Sequence, residues 1–260
     1  MRPTLLQAVA PPLAALVLVL ALWEVVARAL GIPAYLLPPP SDVARAGAAD
    51  AATLLAGAAT TAKAALAGFC LSAAVGVLSA IALASSRALE RALYPYTVFL
   101  QTVPIVAIAP LLVLWCGPGL RAVAVSAFIV SVFPVIANTL TGLRSVEPAL
   151  RDLFRLYGAR RFAMLRKLEL PSALPHIVTG LRIAAGLAVI GAIVGEFVAG
   201  FSEDAAGLGI LVLSAYRQLR TDLLFAAVLL ASALGLALFG AVDLAGKRLL
   251  RRWHPSEINR

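Results

Sequence analysis

The sequence predicts an all-α integral membrane protein with about six transmembrane helices and one long basic loop, and three observations predict it. The first is composition. Of 260 residues, 62% are hydrophobic and 13% charged, far from the roughly 45–50% apolar and about 25% charged residues of a soluble domain. The second is arrangement: the apolar residues gather into six stretches, each long enough to cross a hydrocarbon layer of about 30 Å as a helix. The third is the position of charge. The net charge of +9 sits between the apolar stretches and not on a soluble face with stacking aromatics, which points away from nucleic acid and toward membrane orientation. Residues 1–260 thus read as a single transmembrane domain.

Residues 12–30 form the first expected span, with Glu24 and Arg28 one turn apart near its end, where an i,i+4 pair partly neutralises itself. A cleaved signal peptide is the rival reading, since Ala27 and Ala29 resemble a cleavage site. Against it, only Arg2 makes a positive start and Arg28 lies between the two alanines. Pro38-Pro39-Pro40 then gives an extended connection, with Ser41-Asp42 as the expected N-cap of a short surface helix. Residues 54–84 are rich in Ala and Gly and longer than a straight crossing needs, which predicts a tilted, closely packed helix. Residues 93–115 form the third span, bent at Pro95, Pro104 and Pro110. Gly117-Pro118-Gly119 is a turn, and residues 123–143 are the fourth span. After the loop 144–171 come spans at 173–199 and 223–245, separated by a polar stretch from Ser202 to Asp222. Cys70 and Cys116 lie in different apolar stretches without metal-ligand spacing and read as small apolar filler.

With the N-terminus inside, one side carries Arg2, Arg87, Arg91, the seven basic residues of the loop, Lys247, Arg248, Arg251, Arg252 and Arg260. The other carries Arg28, Arg45, Arg121, Arg217 and Arg220. This surplus places both termini and the loop in the cytoplasm by the positive-inside rule.

The loop has internal punctuation. Gly158 separates two short runs able to be helical, and Pro171 is expected to stop the second before the next span. On the first run Leu150, Leu153, Phe154 and Tyr157 recur at i, i+3, i+4 and i+7, an amphipathic helix with aromatic groups on its apolar face. Here the sequence resembles the inner-membrane permeases of bacterial ABC importers, whose cytoplasmic pattern is E-A-A, three residues, G, nine residues, I, one residue, L-P. Asp152, Leu153 and Phe154 stand at the E-A-A positions, Gly158 at the glycine, Leu168 at the isoleucine, and Leu170-Pro171 at the end, with every spacing kept. Gln101-Thr102-Val103-Pro104, Ala109-Pro110, Leu114-Trp115, the run Pro175 to Arg182 and Gly207-Leu208-Gly209 look like the nitrate, sulfonate and taurine branch, which also includes carriers of vitamin precursors. The resemblance covers residues 35–255.

The resemblance implies a type I ABC importer permease fold. It also implies a loop that acts as a coupling helix on a cytoplasmic ATPase dimer, through Asp152, Phe154, Arg155, Tyr157, Gly158, Ala159, Arg160, Leu168, Leu170 and Pro171. Further implied are a second permease copy in a homodimer, a periplasmic or lipid-anchored solute-binding protein, and ATP with Mg on the ATPase, no cofactor being expected on this chain itself. Asp152 is expected near a helix N-terminus, where a carboxylate is favoured. Arg155, Arg160, Arg161 and Arg166 face either acidic groups of that partner or anionic lipid headgroups.

Polar residues within spans are the other candidates. Gln101, Thr102 and Pro104 lie where a bent helix exposes backbone to a substrate path, with Asn138, Thr139 and Thr141 near the inner end of the fourth span. Glu196, near the outer end of the fifth, belongs either to the path or to the solvated interface. Lys63 and Arg182 are expected to snorkel to headgroups, and His176 to be structural. An enzyme reading finds no phosphate-binding G-x-x-x-x-G-K-[ST], no H-E-x-x-H and no G-x-S-x-G. The chain therefore reads as a non-catalytic subunit in the inner membrane. An ion-coupled secondary transporter is the alternative of another class. It calls for buried acids in several spans and related halves, whereas only Glu24 and Glu196 are read as such. The branch implies a small anion (nitrate, a sulfonate or taurine) as substrate, with a vitamin or pyrimidine precursor as the alternative.

Overall fold

The computed structural model describes residues 5–199 and 206–250. Among them the regular elements are all helical, five being long and apolar enough to cross a bilayer, or six where the bent pair α4–α5 is counted as one span. Arg2, Asp204, His254 and the tail arginines Arg251, Arg252 and Arg260 lie outside the described residues.

Helix α1 (Leu5–Ala29) starts upstream of the expected span and carries Pro11 and Pro12 inside it. Its far end is tied down by polar groups. Glu24 accepts hydrogen bonds from Arg28 Nε at 2.6 Å, from Ser41 Oγ at 2.8 Å and from the Ser41 N–H at 3.0 Å. Ser41 therefore does not cap α2 (Pro40–Ala49). Pro39 holds the cap position with Pro40 at N1, where a missing N–H costs nothing, and this frees the serine for Glu24.

The centre of the molecule is three long helices in side-by-side contact: α3 (Ala51–Ser85), α6 (Leu120–Arg144) and α9 (Leu170–Ala199). Small residues permit it, because lipid is as apolar as leucine and close backbone approach is what holds membrane helices together. Along α3 the buried positions include Thr61, Ala65, Gly68, Ser72, Gly76 and Ala80. A Cβ on Gly68 would stand 2.5 Å from that of Ala127, and Ser72 and Ser131 share a 2.5 Å hydrogen bond across the seam. Between α6 and α9, Gly180 faces Pro134 and Asn138 while Gly191 and Gly195 face Ala127 and Ser126.

The third expected span is not one bent helix. Helices α4 (Arg87–Thr102) and α5 (Ile105–Cys116) meet at 99°. Pro104 drives its predecessor into extended backbone, and Val103 sits there at φ −68°, ψ 122°. Beyond the turn, where Gly117 and Gly119 have φ of 77° and 91°, the Gly119 N–H reaches the Ala199 carbonyl at 2.8 Å.

Helix α7 (Pro148–Leu156) and the short α8 (Arg161–Met164) form the loop between α6 and α9, and α10 (Leu208–Arg217) lies within the polar stretch before α11 (Thr221–Leu250). Arg182 does not snorkel. Its guanidinium stands 2.8 Å from Asp243 of α11, which Lys247 also contacts at 2.8 Å. Asp243 lies inside the last span, an acid additional to the two read from the sequence, and the ion pair explains how both charges are tolerated.

Candidate functional site

The loop begins where Pro148, at the first helical position, starts α7. The helix ends in a Schellman motif: Gly158, at φ 68°, donates to the Arg155 carbonyl at 2.9 Å, and Ala159 donates to the Phe154 carbonyl at 3.0 Å. Glycine is required there because the left-handed backbone places a Cβ against its own carbonyl. The sequence places Asp152 near the N-terminus of its helix, but α7 already starts at Pro148, four residues earlier. Asp152 sits one turn further in, paired with Arg155 at 3.1 Å on an exposed face. Leu156, Tyr157 and Phe162 are 85%, 84% and 72% exposed, so a substantial apolar and aromatic surface is uncovered at the end of the loop.

Pro171 does not stop the second run. The chain is helical without interruption from Arg161 to Ala199, passing through a π-helical turn at Leu165–Glu169. In an α-helix Pro171 would leave a carbonyl unmatched four residues back and collide with it. The wider turn, closed by the Leu170 N–H on the Leu165 carbonyl, relieves that collision. Leu168 is buried; Ala159, Leu170 and Pro171 are half-buried; Arg160 is exposed just ahead of α8. Arg151 ties the parts together, donating from Nη2 to the Leu143 carbonyl at the end of α6 at 2.7 Å and standing 3.6 Å from Glu169.

Of the intramembrane candidates, Gln101, Thr102 and Pro104 lie exposed at the α4–α5 break. A cavity of about 280 Å³ opens there, in which Gln101 contributes the one polar side chain beside Val103, Ile105, Ile129, Pro134 and Leu187. No charged side chain lines it. Asn138 is not part of it. Its amide donates to the Pro134 carbonyl at 2.8 Å in the α6–α9 contact, with buried Thr139 beside it and exposed Thr141 bonded to the Ala137 carbonyl.

Glu196 is 3% exposed, which removes interfacial solvation as its environment. One carboxylate oxygen accepts from the Thr61 hydroxyl at 2.7 Å, and the other from the Gly209 N–H at 2.7 Å. The Thr61 hydroxyl in turn accepts from the Leu208 N–H at 2.9 Å. The carboxylate thus sits on the N-terminus of α10, where free N–H groups and the helix dipole favour an anion. Gly207 and Gly209 let the backbone close over it, since a Cβ on Gly207 would fall on the carboxylate itself.

Residues 72–252 match the family described as binding-protein-dependent transport system inner membrane component. The chain belongs to that family. It is similar to the riboflavin transport system permease protein of Chloroflexus aurantiacus, 37% identical over 243 residues, which are 93% of this chain and 89% of that one. It is also similar to the formylaminopyrimidine transport permease protein of Halalkalibacterium halodurans, 36% identical over 91% of this chain and 92% of that one. A third relative is the putative aliphatic sulfonates transport permease protein of Bacillus subtilis, 31% identical over 73% of this chain and 67% of that one.

As an ABC importer permease of the inner membrane, the chain carries its best-formed polar assemblies at the loop and around Glu196. Two of the residues that build them, Arg151 and Thr61, escaped sequence reading, as did Asp243 of the Arg182 ion pair. Arg151 lies off the apolar face of α7 and reads as one more loop cation. Thr61 is a hydroxyl in a small-residue stripe, and its partner is 135 residues away. Asp243 had a usable signal, a lone acid four residues before Lys247 in an apolar run.

Proposed function

We propose that the chain is the permease subunit of an ATP-driven importer and that residues 144–171 dock on a cytoplasmic ABC ATPase. The observation that carries this reading is the unbroken helix from Arg161 to Ala199, with α7 clamped beside it by Arg151. A displacement of α7 passes directly to α9 and, through the α6–α9 seam, to the centre of the molecule. The contact surface is Phe154, Tyr157 and their exposed neighbours, with Asp152, Arg155 and Arg160 as charged rim and Gly158, Ala159, Leu168, Leu170 and Pro171 setting its shape. Two copies form a homodimer around the path, two ATPase subunits close on ATP and Mg beneath it, and a solute-binding protein delivers substrate from outside. Closure rocks the permeases from inward-open to outward-open. Both termini and the loop lie in the cytoplasm, in keeping with the basic surplus on that side.

The substrate is an organic solute of the vitamin or pyrimidine-precursor class. Two observations favour it: the relatives named for such solutes align over nine-tenths of the chain, and the cavity at the α4–α5 break offers an amide and apolar walls but no cation for an anion. A sulfonate is the second reading, favoured by the third relative and by the motifs around Gln101 and Gly207.

Gly158→Pro cannot adopt φ 68° and removes the N–H that closes α7, and Asp152→Lys inverts the charged rim. Both variants are expected to reach the membrane normally, retain ATPase activity in the assembled complex and lose uptake. Normal uptake in both rejects the docking assignment. A reporter fused after Glu169 should be cytoplasmic and one fused at Asp204 periplasmic; the reverse pattern rejects the orientation. A ligand screen on the cognate binding protein decides the substrate, and preference for a sulfonate over flavin and pyrimidine compounds rejects the first class.

A further inference from the structure

A second cavity, of about 820 Å³, lies at the loop end of the molecule between the end of α3 and the loop, and it shares Arg155, Ala159 and Phe162 with the surface of the loop described above. Its lining is mixed: Arg87, Arg151, Arg155 and Arg161 bring guanidinium groups, while Ile81 and Ala84 from α3 and Phe162, Met164 and Leu165 from the loop bring apolar side chains. Glu169 is the one carboxylate in the lining, and Arg151 stands beside it. Arg155 is spent on Asp152 at an exposed pair, whereas Arg87 and Arg161 have no acidic side chain within 4 Å among the described residues. With Arg151 beside Glu169 and Arg155 beside Asp152, the positive charges left uncompensated in this partly enclosed space are those of Arg87 and Arg161. Its depth is set by α3, whose apolar run ends at Ser85, two residues before Arg87. That is where hydrocarbon gives way to headgroups.

We propose that this cavity binds an anionic phospholipid, its phosphodiester held by Arg87 and Arg161 and its first acyl carbons lying along the apolar side chains. The proposal rests on the reading that this end of the molecule lies at a membrane surface. The mixed lining decides among anions. A free phosphate ion, or a carboxylate reaching in from a protein, would satisfy the arginines and leave the apolar side chains uncovered; a lipid meets both. Basic pockets between membrane helices recognise anionic headgroups in this way, with a planar guanidinium matching the phosphate oxygens. A lipid in this place would sit under α7 and α8 and brace the loop against the membrane.

The test is native mass spectrometry of the detergent-purified transporter, permease with its partner subunits, titrated with dioleoyl phosphatidylglycerol or dioleoyl phosphatidylcholine. The expected result is preferential retention of phosphatidylglycerol that millimolar inorganic phosphate does not displace. Each arginine near an anionic headgroup is worth roughly a fivefold preference, so R87Q/R161Q should lower it by about thirtyfold. A control R45Q/R217Q, at the other end of the molecule, should leave it intact. Equal retention of the two lipids, displacement by phosphate, or an R87Q/R161Q variant that keeps the preference overturns the proposal. So does a variant that loses only its ATPase partner, since the arginines would then serve a protein. Retention is read without uptake or ATP hydrolysis, so failure here leaves the importer reading standing. A reversed topology would move the cavity to the other leaflet without changing the headgroup chosen.

Discussion

Glu196 shows how one buried carboxylate holds three helices. It lies in α9, receives the hydroxyl hydrogen of Thr61 from α3, and receives the N–H of Gly209 at the start of α10. Removing it leaves that N–H and the Thr61 hydroxyl hydrogen without acceptors in a site closed to water, each at a cost of about 1–3 kcal/mol. Glu196→Ala should therefore lower the thermal midpoint of the purified permease markedly. Glu196→Gln, which keeps the shape and one acceptor, should lower it by less than half as much. If Glu196 instead served the substrate path, the Gln variant would change the KM for uptake while leaving the midpoint alone, and that pattern would refute the structural role. The sequence already displays the parts, an acid near the end of a span and Gly207-Leu208-Gly209 close behind it in the chain. It does not display that Thr61 completes them, because spacing along a chain does not say which membrane helices are neighbours.

Arg151 of α7 joins that helix to the end of α6 and to the turn ahead of α9, the link on which the proposed coupling depends. A charged hydrogen bond of this kind is worth about 1.5–3 kcal/mol, and here it joins the Leu143 carbonyl to α7 with Glu169 close by. Arg151→Ala should raise hydrogen exchange across residues 144–160 and reduce uptake without reducing membrane level. Arg151→Lys, a point charge without the fork, should restore part of it. Unchanged exchange in the Ala variant would show that α7 is held by packing alone. At this scale the sequence is legible where local chemistry decides. Gly158 reads correctly as the end of α7, since a left-handed cap needs only a glycine after an amphipathic run. Pro104 and Pro171 are both legible as interruptions, yet one turns the chain by 99° and the other leaves a continuous helix. The neighbouring backbone makes the difference. After Pro104 the chain folds back on α6, whereas ahead of Pro171 a π turn absorbs the missing bond.

Hydropathy marks the apolar stretches, but the way they assemble depends on glycine positions whose partners only the folded chain displays. Glycines at 68, 76, 180, 191 and 195 stand where a Cβ would press on a neighbouring helix, whereas around Gly235 and Gly240 of α11 nothing lies within 4 Å. All look alike in an apolar sequence. Without a hydrophobic drive between helices in lipid, closeness of approach decides stability, so the first group should be sensitive to bulk and the second insensitive. Gly68→Leu forces a side chain into a site where even a Cβ stands 2.6 Å from the Ala124 carbonyl and 2.9 Å from the Phe128 nitrogen. Backbone on both sides leaves no flexible group to yield, and α3 must separate from α6. Overpacking of a close seam costs about 1–3 kcal/mol even where it relaxes, and here the seam runs through the middle of the molecule. The expected outcome is loss of the monodisperse peak on size exclusion in detergent, with little protein surviving purification. Gly240→Leu, on an open face, should elute as the unmodified chain does, and its thermal midpoint should be unchanged. Equal tolerance of leucine at both positions would mean that α3 and α6 are not held by close approach. The three-helix centre formed by α3, α6 and α9 would then need another source of cohesion.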